Sequence, residues 1–325
     1  QEMLTDVFQP ARQGMGLGLV ALAAALVAGC TAEADIGGVG EAARPLKRYD
    51  ITQSLASNGK TLVGGTHSGA VLVSPDQGKT WERKPLANAS IVGLASCPDG
   101  SFVGVDFYRR VWSGSPDGQT WKAHPIEKPR TPLAIACDGE GRWWVAGTNT
   151  TIAGSRDQGA TWQYTDLGQD AQLTAIQFFD ADHGIVLGEF GKVLTTADGG
   201  ATWNKEAPIP GDFYPYAAVF ADRQHGWASG IAGQMVETRD GGKTWNKQPN
   251  HAQASLYRLF LHGGVPYGVG ASGVVARLEG GTWRPMPYPD ASPVFLGAGT
   301  SLSSQNAIAI GGPGGLIRVV GTKTN

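Results

Sequence analysis

The residues best suited to bind something lie in one short stretch, Asp106-Phe107-Tyr108-Arg109-Arg110. Two aromatics beside two arginines match the composition that protein-interface hot spots favour. Arg130 follows a little further on. Two other stretches join aromatics to prolines: Pro208-Ile209-Pro210-Gly211-Asp212-Phe213-Tyr214-Pro215-Tyr216 and Arg284-Pro285-Met286-Pro287-Tyr288-Pro289. Proline stiffens such a loop, and a stiff aromatic loop binds at low entropic cost. The plainer alternative is a solvated loop with an aromatic packed on its neighbour, or a proline-rich cap on a sheet edge. Phe107, Tyr108, Arg109, Arg110, Arg130, Tyr214, Tyr216 and Tyr288 are carried forward as candidate partner-binding residues.

Little else suggests chemistry. The six histidines, His67, His124, His183, His225, His251 and His262, show no metal-ligand spacing. There is no phosphate-cradling glycine loop, nucleophile elbow or paired catalytic carboxylate, so neither a metal nor a cofactor is expected. Cys97 and Cys137 each end a strand-like run. In an oxidising compartment a disulfide is open to them, but it needs Cα atoms within ~4.4–6.8 Å, closer than the innermost strands of adjacent blades are expected to come, and two small buried thiols is the favoured reading. A net charge of −2 leaves no footprint for nucleic acid. With 41% hydrophobic and 17% charged residues, the chain is not a disordered one.

Residues 1–29 read as a targeting segment. Met15 to Gly29 is uncharged and apolar, with Arg12 just before it. It is too short for the ~20 residues of a spanning helix and fits a signal-peptide core. Val27-Ala28-Gly29-Cys30 is similar to a bacterial lipobox, which predicts cleavage before Cys30 and lipid on its thiol. Residues 30–45 are small and polar and read as a flexible tether. The protein is then exported and lipid-anchored on the periplasmic side. Thr31, not Asp, follows the cysteine, which favours the outer membrane, or the thylakoid lumen in a phototroph.

What must position the candidate loops is a repeat. Ser74-Pro75-Asp76-Gln77-Gly78-Lys79-Thr80-Trp81 returns with Asp157 and Trp162, with Asp198 and Trp203, and with Asp240 and Trp245. A shorter copy carries Asp117 and Trp121, and a degenerate one, Glu279-Gly280-Gly281-Thr282-Trp283, lacks the Asp. The six tryptophans are 40, 41, 41, 42 and 38 residues apart. In each copy the Asp can accept backbone N–H groups of its own turn, the Gly supplies positive φ, and the Trp fills a space between sheets. This octet resembles the Asp-box (BNR) repeat. Three β-patterned runs precede each box, for example Tyr216–Ala221, Gly226–Gly230 and Gln234–Thr238. Seven such units predict an all-β fold, a seven-bladed propeller of four-stranded blades over 46–325. The seventh unit has no box, and residues 46–50 are the expected strand that completes it and closes the ring.

An antiparallel meander puts the boxes and the first-to-second-strand turns on one face. The second-to-third-strand loops and the links between units fall on the other. The box face is repeated turn chemistry, so function is expected on the opposite, loop face. Most of its loops follow a glycine pattern such as Gly230-Ile231-Ala232-Gly233; residues 106–110 break it.

The most specific signal is Phe220-Ala221-Asp222-Arg223-Gln224-His225-Gly226-Trp227, followed by Thr238-Arg239-Asp240-Gly241-Gly242-Lys243-Thr244-Trp245 and echoed by Asp180-Ala181-Asp182-His183-Gly184. This cadence resembles the photosystem II assembly/stability factor family. The resemblance implies a seven-bladed propeller and a non-catalytic role, binding a membrane protein or its assembly intermediate, partly through arginines. A monomer tethered by its lipid is expected. A lipoprotein accessory to a transporter or another membrane complex is the alternative. Sialidases also carry Asp boxes, but they need three converging arginines and a Tyr–Glu pair. Arg44-Pro45-Leu46 is not their Arg-Ile-Pro signature, and Arg258, Arg284 and Arg318 sit in late units with no such pair in view.

Overall fold

The computed structural model describes residues 44–322. The expected signal segment and Cys30 lie outside them. Among the described residues no helix is long and apolar enough to cross a membrane.

The described residues form seven antiparallel sheets, each built from strands consecutive in sequence, as a propeller requires. Six have four strands and the last has three. Blade 1 is typical, with an inner strand Thr52–Ser57, then Leu62–Thr66, Ala70–Ser74 and an outer strand Glu82–Pro85. Apart from Val265 at the start of the one in blade 6, the second strands are buried throughout, as in Gly184–Gly188 and Gly226–Gly230, because sheets cover both of their faces. The expected strands generally match to within a residue or two. The exception is the long run from Val294: the inner strand of blade 7 is Ala298–Leu302, because Leu296 N donates to Gly270 O as part of a loop instead.

The Asp boxes behave as their composition requires. Asp76 Oδ1 accepts from Thr80 N at 2.8 Å and Ser74 Oγ at 2.8 Å, while Oδ2 accepts from Thr80 Oγ1 at 2.6 Å. Asp157, Asp198 and Asp240 repeat this pattern. The shorter box keeps Ser115 Oγ to Asp117 at 2.5 Å and replaces the Thr contact with Gln119 N at 3.0 Å. The glycine is needed twice over at Gly200: its φ is +75°, and a Cβ would stand 2.1 Å from Trp144 of the preceding blade.

Each box tryptophan packs backwards onto the preceding blade. Trp121 joins the apolar cluster between blades 1 and 2, Trp162 that between 2 and 3, and Trp203 that between 3 and 4. Trp245 and the fully buried Trp283 fill the next two interfaces. Trp81 lies between blade 1 and blade 7, with Leu55, Leu62, Ala298 and Leu302. The core is therefore a set of seven wedges between blades. The wedge between blades 6 and 7 has no tryptophan, because blade 7 has no box; Phe260, Tyr267, Met286 and Ile308 fill it.

The closing strand requires a correction. Residues 46–50 form turns, and among the described residues blade 7 has no fourth strand. In blade 1, Leu86 and Ala87 leave the outer strand and donate to Gly69 O. A Cβ on Gly69 would meet Ala87 O, and one on Gly315 of blade 7 would meet Lys47 O in the same way. Residues 46–50 thus take the place of the link that follows an outer strand, with Pro45-Leu46 matching Pro85-Leu86. They reach blade 7 through Gly315 N to Asp50 O at 2.8 Å and the Ile51–Pro313 bridge. Asp50 holds the segment to blade 1: its buried carboxylate takes both Arg83 nitrogens, at 2.6 and 3.0 Å, and Ser68 Oγ at 3.0 Å.

The two cysteines also differ from expectation. Cys97 and Cys137 form a disulfide, with Cα atoms 5.2 Å apart. The inner strands of blades 2 and 3 approach each other around the axis closely enough for the bond.

Candidate binding face

The sequential strand order sends the second-to-third-strand loops and the inter-blade links to one end of the ring. Nine large hydrophobic side chains are exposed among the described residues. Seven of them, Tyr49, Phe107, Tyr108, Leu167, Phe190, Ile231 and Phe295, lie on these loops and links. The other two are Val265, at the box-face end of a strand, and Val319, on the blade lacking an outer strand. Leaving apolar side chains in water is unfavourable, and gathering them on one face marks it as a contact surface.

Blade 2 supplies the most shaped part. Asp106 is fully buried at the start of its loop and accepts from Tyr108 N at 2.8 Å, Arg110 N at 3.2 Å, Arg110 Nε at 2.6 Å and Trp112 Nε1 at 3.0 Å. The loop is thereby preorganised, with Phe107 and Tyr108 presented edge to face at 6.0 Å. Arg109 is exposed at φ +63°, where blade 1 has Gly69 at +84°. An L-residue there costs roughly 1–2 kcal/mol. Its Nη1 lies 3.4 Å from Glu127 O. Arg130 is exposed on the link that leaves the blade.

The other candidates divide. Arg110 is bound to Asp106 and stacks over Trp112 at 5.6 Å, so it supports the loop from within. Tyr214 donates to Glu189 Oε1 at 2.5 Å, and Glu189 Oε2 accepts Gln172 N at 2.8 Å. That carboxylate bond, aided by burial, pushes the Tyr214 phenol up to about 12. Tyr288 donates to Gly273 O at 2.8 Å and lies under Arg318. Both tyrosines therefore tie links to loops. Tyr216 lines the central channel and meets Tyr257 edge to face at 5.2 Å.

Tyr257, Gln53, Val92, Phe295 and Gly297 line a hollow of about 470 Å³ at the channel mouth. Sequence reasoning missed Tyr257 and Phe295. Tyr257 sits in a strand whose alternation gives no sign that a β-bulge sets it outside the ladder. The three late arginines lie on different strands: Arg258 on an inner strand, Arg284 on an outer one, and Arg318 against the carbonyls of Pro289 and Asp290. Among the described residues no three His, Cys, Asp or Glu side chains are grouped as a metal site.

Residues 161–214 match the family described as photosynthesis system II assembly factor YCF48. The photosystem II assembly lipoprotein Ycf48 of Synechococcus sp. (strain CC9605) is 31% identical over 203 residues, covering 47% of this chain and 60% of that protein. The chain thus spans somewhat over half the length of that relative. The solved structure of YCF48 bound to D1 peptide superposes with a TM-score of 0.68 at 16% identity, over 86% of this chain and 96% of that one. U3-55K superposes as well, at 0.69 with 9% identity over 84% of this chain and 96% of its own. Structural likeness at these identities therefore speaks for the propeller alone. The sequence match over part of the chain is what likens it to the photosystem II assembly factors.

Proposed function

We propose that this chain, a relative of the photosystem II assembly lipoproteins, is a non-catalytic assembly factor whose loop face holds a membrane-protein partner. The observation that carries the proposal is the gathering of exposed apolar side chains on that face, with Phe107, Tyr108 and Arg109 fixed in a rigid loop by Asp106. Rigid aromatic and arginine side chains bind with little loss of conformational entropy. The cyanobacterial relative is named an assembly lipoprotein, and a structural neighbour was solved with a D1 peptide; both favour a photosystem II subunit as the partner. Lipid on Cys30 would hold the monomer at the periplasmic or lumenal membrane surface, which suits a membrane-protein client.

The test is a crosslinked pull-down of the lipidated protein from detergent-solubilised membranes, beside a Phe107→Ala/Tyr108→Ala/Arg109→Gly variant. The expected result is an integral membrane protein enriched by the wild type and lost by the variant. A photosystem subunit supports the full proposal, whereas a transporter would redirect it to that complex. Equal capture by both proteins, or no membrane protein at all, would overturn it.

A further inference from the structure

The central channel, about 370 Å³ in volume, contains a charge that nothing answers. Among the described residues Arg258 is its one charged lining residue, and no Asp, Glu, Lys or His joins it. The side chain is open to the lumen, and no described residue accepts a hydrogen bond from it or pairs with it. Other partly or fully buried arginines of the blades show the contrast. Arg83, Arg110 and Arg142 each have a carboxylate. Burial pulls the Arg258 guanidinium below its usual range, with no counter-charge to restore it.

Space is arranged around this residue. At its register in the other six inner strands stand Ser54, Gly93, Ala134, Ala175, Ala217 and Gly299. A single arginine thus rises from a ring of small residues. The bulge between Leu256 and Arg258 sets Tyr257 beside Tyr216 at the loop-face end, and Val92 lines both the channel and its mouth.

We infer that the central channel is an anion site, in which Arg258 takes a carboxylate that enters from the loop face past Tyr216 and Tyr257. Arg258 faces the lumen, and walls of low dielectric focus its field there, where an entering anion meets no competing charge from the described lining. The planar guanidinium fork matches a carboxylate through two parallel N–H···O bonds. The carboxylate can belong to a free small acid or to the end of a peptide chain.

Purified full-length protein is titrated with N-acetyl-trialanine bearing a free C-terminal carboxylate, with the same peptide as its amide, and with acetate, following binding by calorimetry and melting temperature. The expected result is carboxylate binding at millimolar concentration, weakened about tenfold or more in the amide and in Arg258→Met. Arg258→Lys should fall between. Without probe, Arg258→Met should melt no lower than wild type, because it removes an uncompensated charge. Acetate binding as tightly as the acid peptide assigns the site to small acids; tighter binding of the peptide assigns it to chain ends. Equal binding of acid and amide, no binding by wild type, unchanged affinity in Arg258→Met, or a lower melting point for that variant would overturn the inference. None of these readouts involves a membrane partner, so the result stands apart from the pull-down.

Discussion

Arg110 folds back on Asp106, Nε to Oδ2 at 2.6 Å, and Arg142 does the same to Asp138 at 2.5 Å. In both cases a tryptophan two residues later, Trp112 or Trp144, donates its indole N–H to the same carboxylate oxygen. The two motifs sit at opposite ends of their blades: Asp106 opens a loop-face connection, and Asp138 opens a turn on the box face. One local solution thus preorganises a candidate contact loop and also braces a turn of the other face.

That duplication supplies a control. Asp106→Ala and Asp138→Ala each leave buried donors unpaired and should each cost about 3–5 kcal/mol in denaturant unfolding. Only Asp106→Ala should reduce partner capture at temperatures where both variants remain folded. Equal loss of capture in both would assign the effect to stability alone.

Arg109 should show the reverse pattern. Arg109→Gly relieves the left-handed strain, while glycine adds freedom to the unfolded chain, so stability should move by less than about 1 kcal/mol. Partner capture should nonetheless fall. Unfolding curves that overlay wild type beside a weakened pull-down would establish that Arg109 acts in contact and not in folding.

The Asp boxes predict an acid limit. Bonds from the Thr80 hydroxyl and N–H hold Asp76 down to about 2, and those of Thr202 do so for Asp198. A carboxyl with a lowered folded pKa contributes stability that is complete above its ordinary value of 3.8 and is lost as pH falls towards about 2. Melting temperature should therefore drop between those two values. Asp198→Asn should melt lower than wild type at neutral pH, with the gap closing in acid. A gap independent of pH would rule out the carboxylate charge as its source.

The Cys97–Cys137 bond links inner strands 40 residues apart. Its loss should lower stability by about 2–4 kcal/mol. Thermal melts with and without reductant, beside Cys97→Ser/Cys137→Ser, give the measurement. Thiols that label freely in the untreated native protein, with no change in melting on reduction, would contradict the bond.

Asp50 tests ring closure. Burial would raise its pKa, but the bonds from Arg83, Lys47 N and Ser68 outweigh burial and hold it low. Asp50→Ala leaves Arg83 without its carboxylate and should cost about 3–5 kcal/mol. It should also speed proteolytic cleavage around residues 44–51. Unchanged cleavage would place the closure in the Trp81 wedge alone.

Much of this was legible in the sequence because it is local. A period near 41 residues specified seven blades, and each box Asp bonds donors within four positions of itself. Turn chemistry of that range follows from residue type and spacing, and the sequential strand order likewise told which loops share one end of the ring. What closure of the ring decided was different in kind. Arg110 was indistinguishable from Arg109 as a candidate until Asp106 claimed it. Cys97 and Cys137 became partners because inner strands crowd around a common axis. Residues 46–50 became a link and not a strand, set by their match to 86–87 of blade 1. Arg258 and Tyr257 acquired a shared lumen only when seven strands surrounded it. Local hydrogen bonding is encoded along the chain, whereas the surroundings of an axial side chain are made by residues from every blade, which no single stretch of sequence contains.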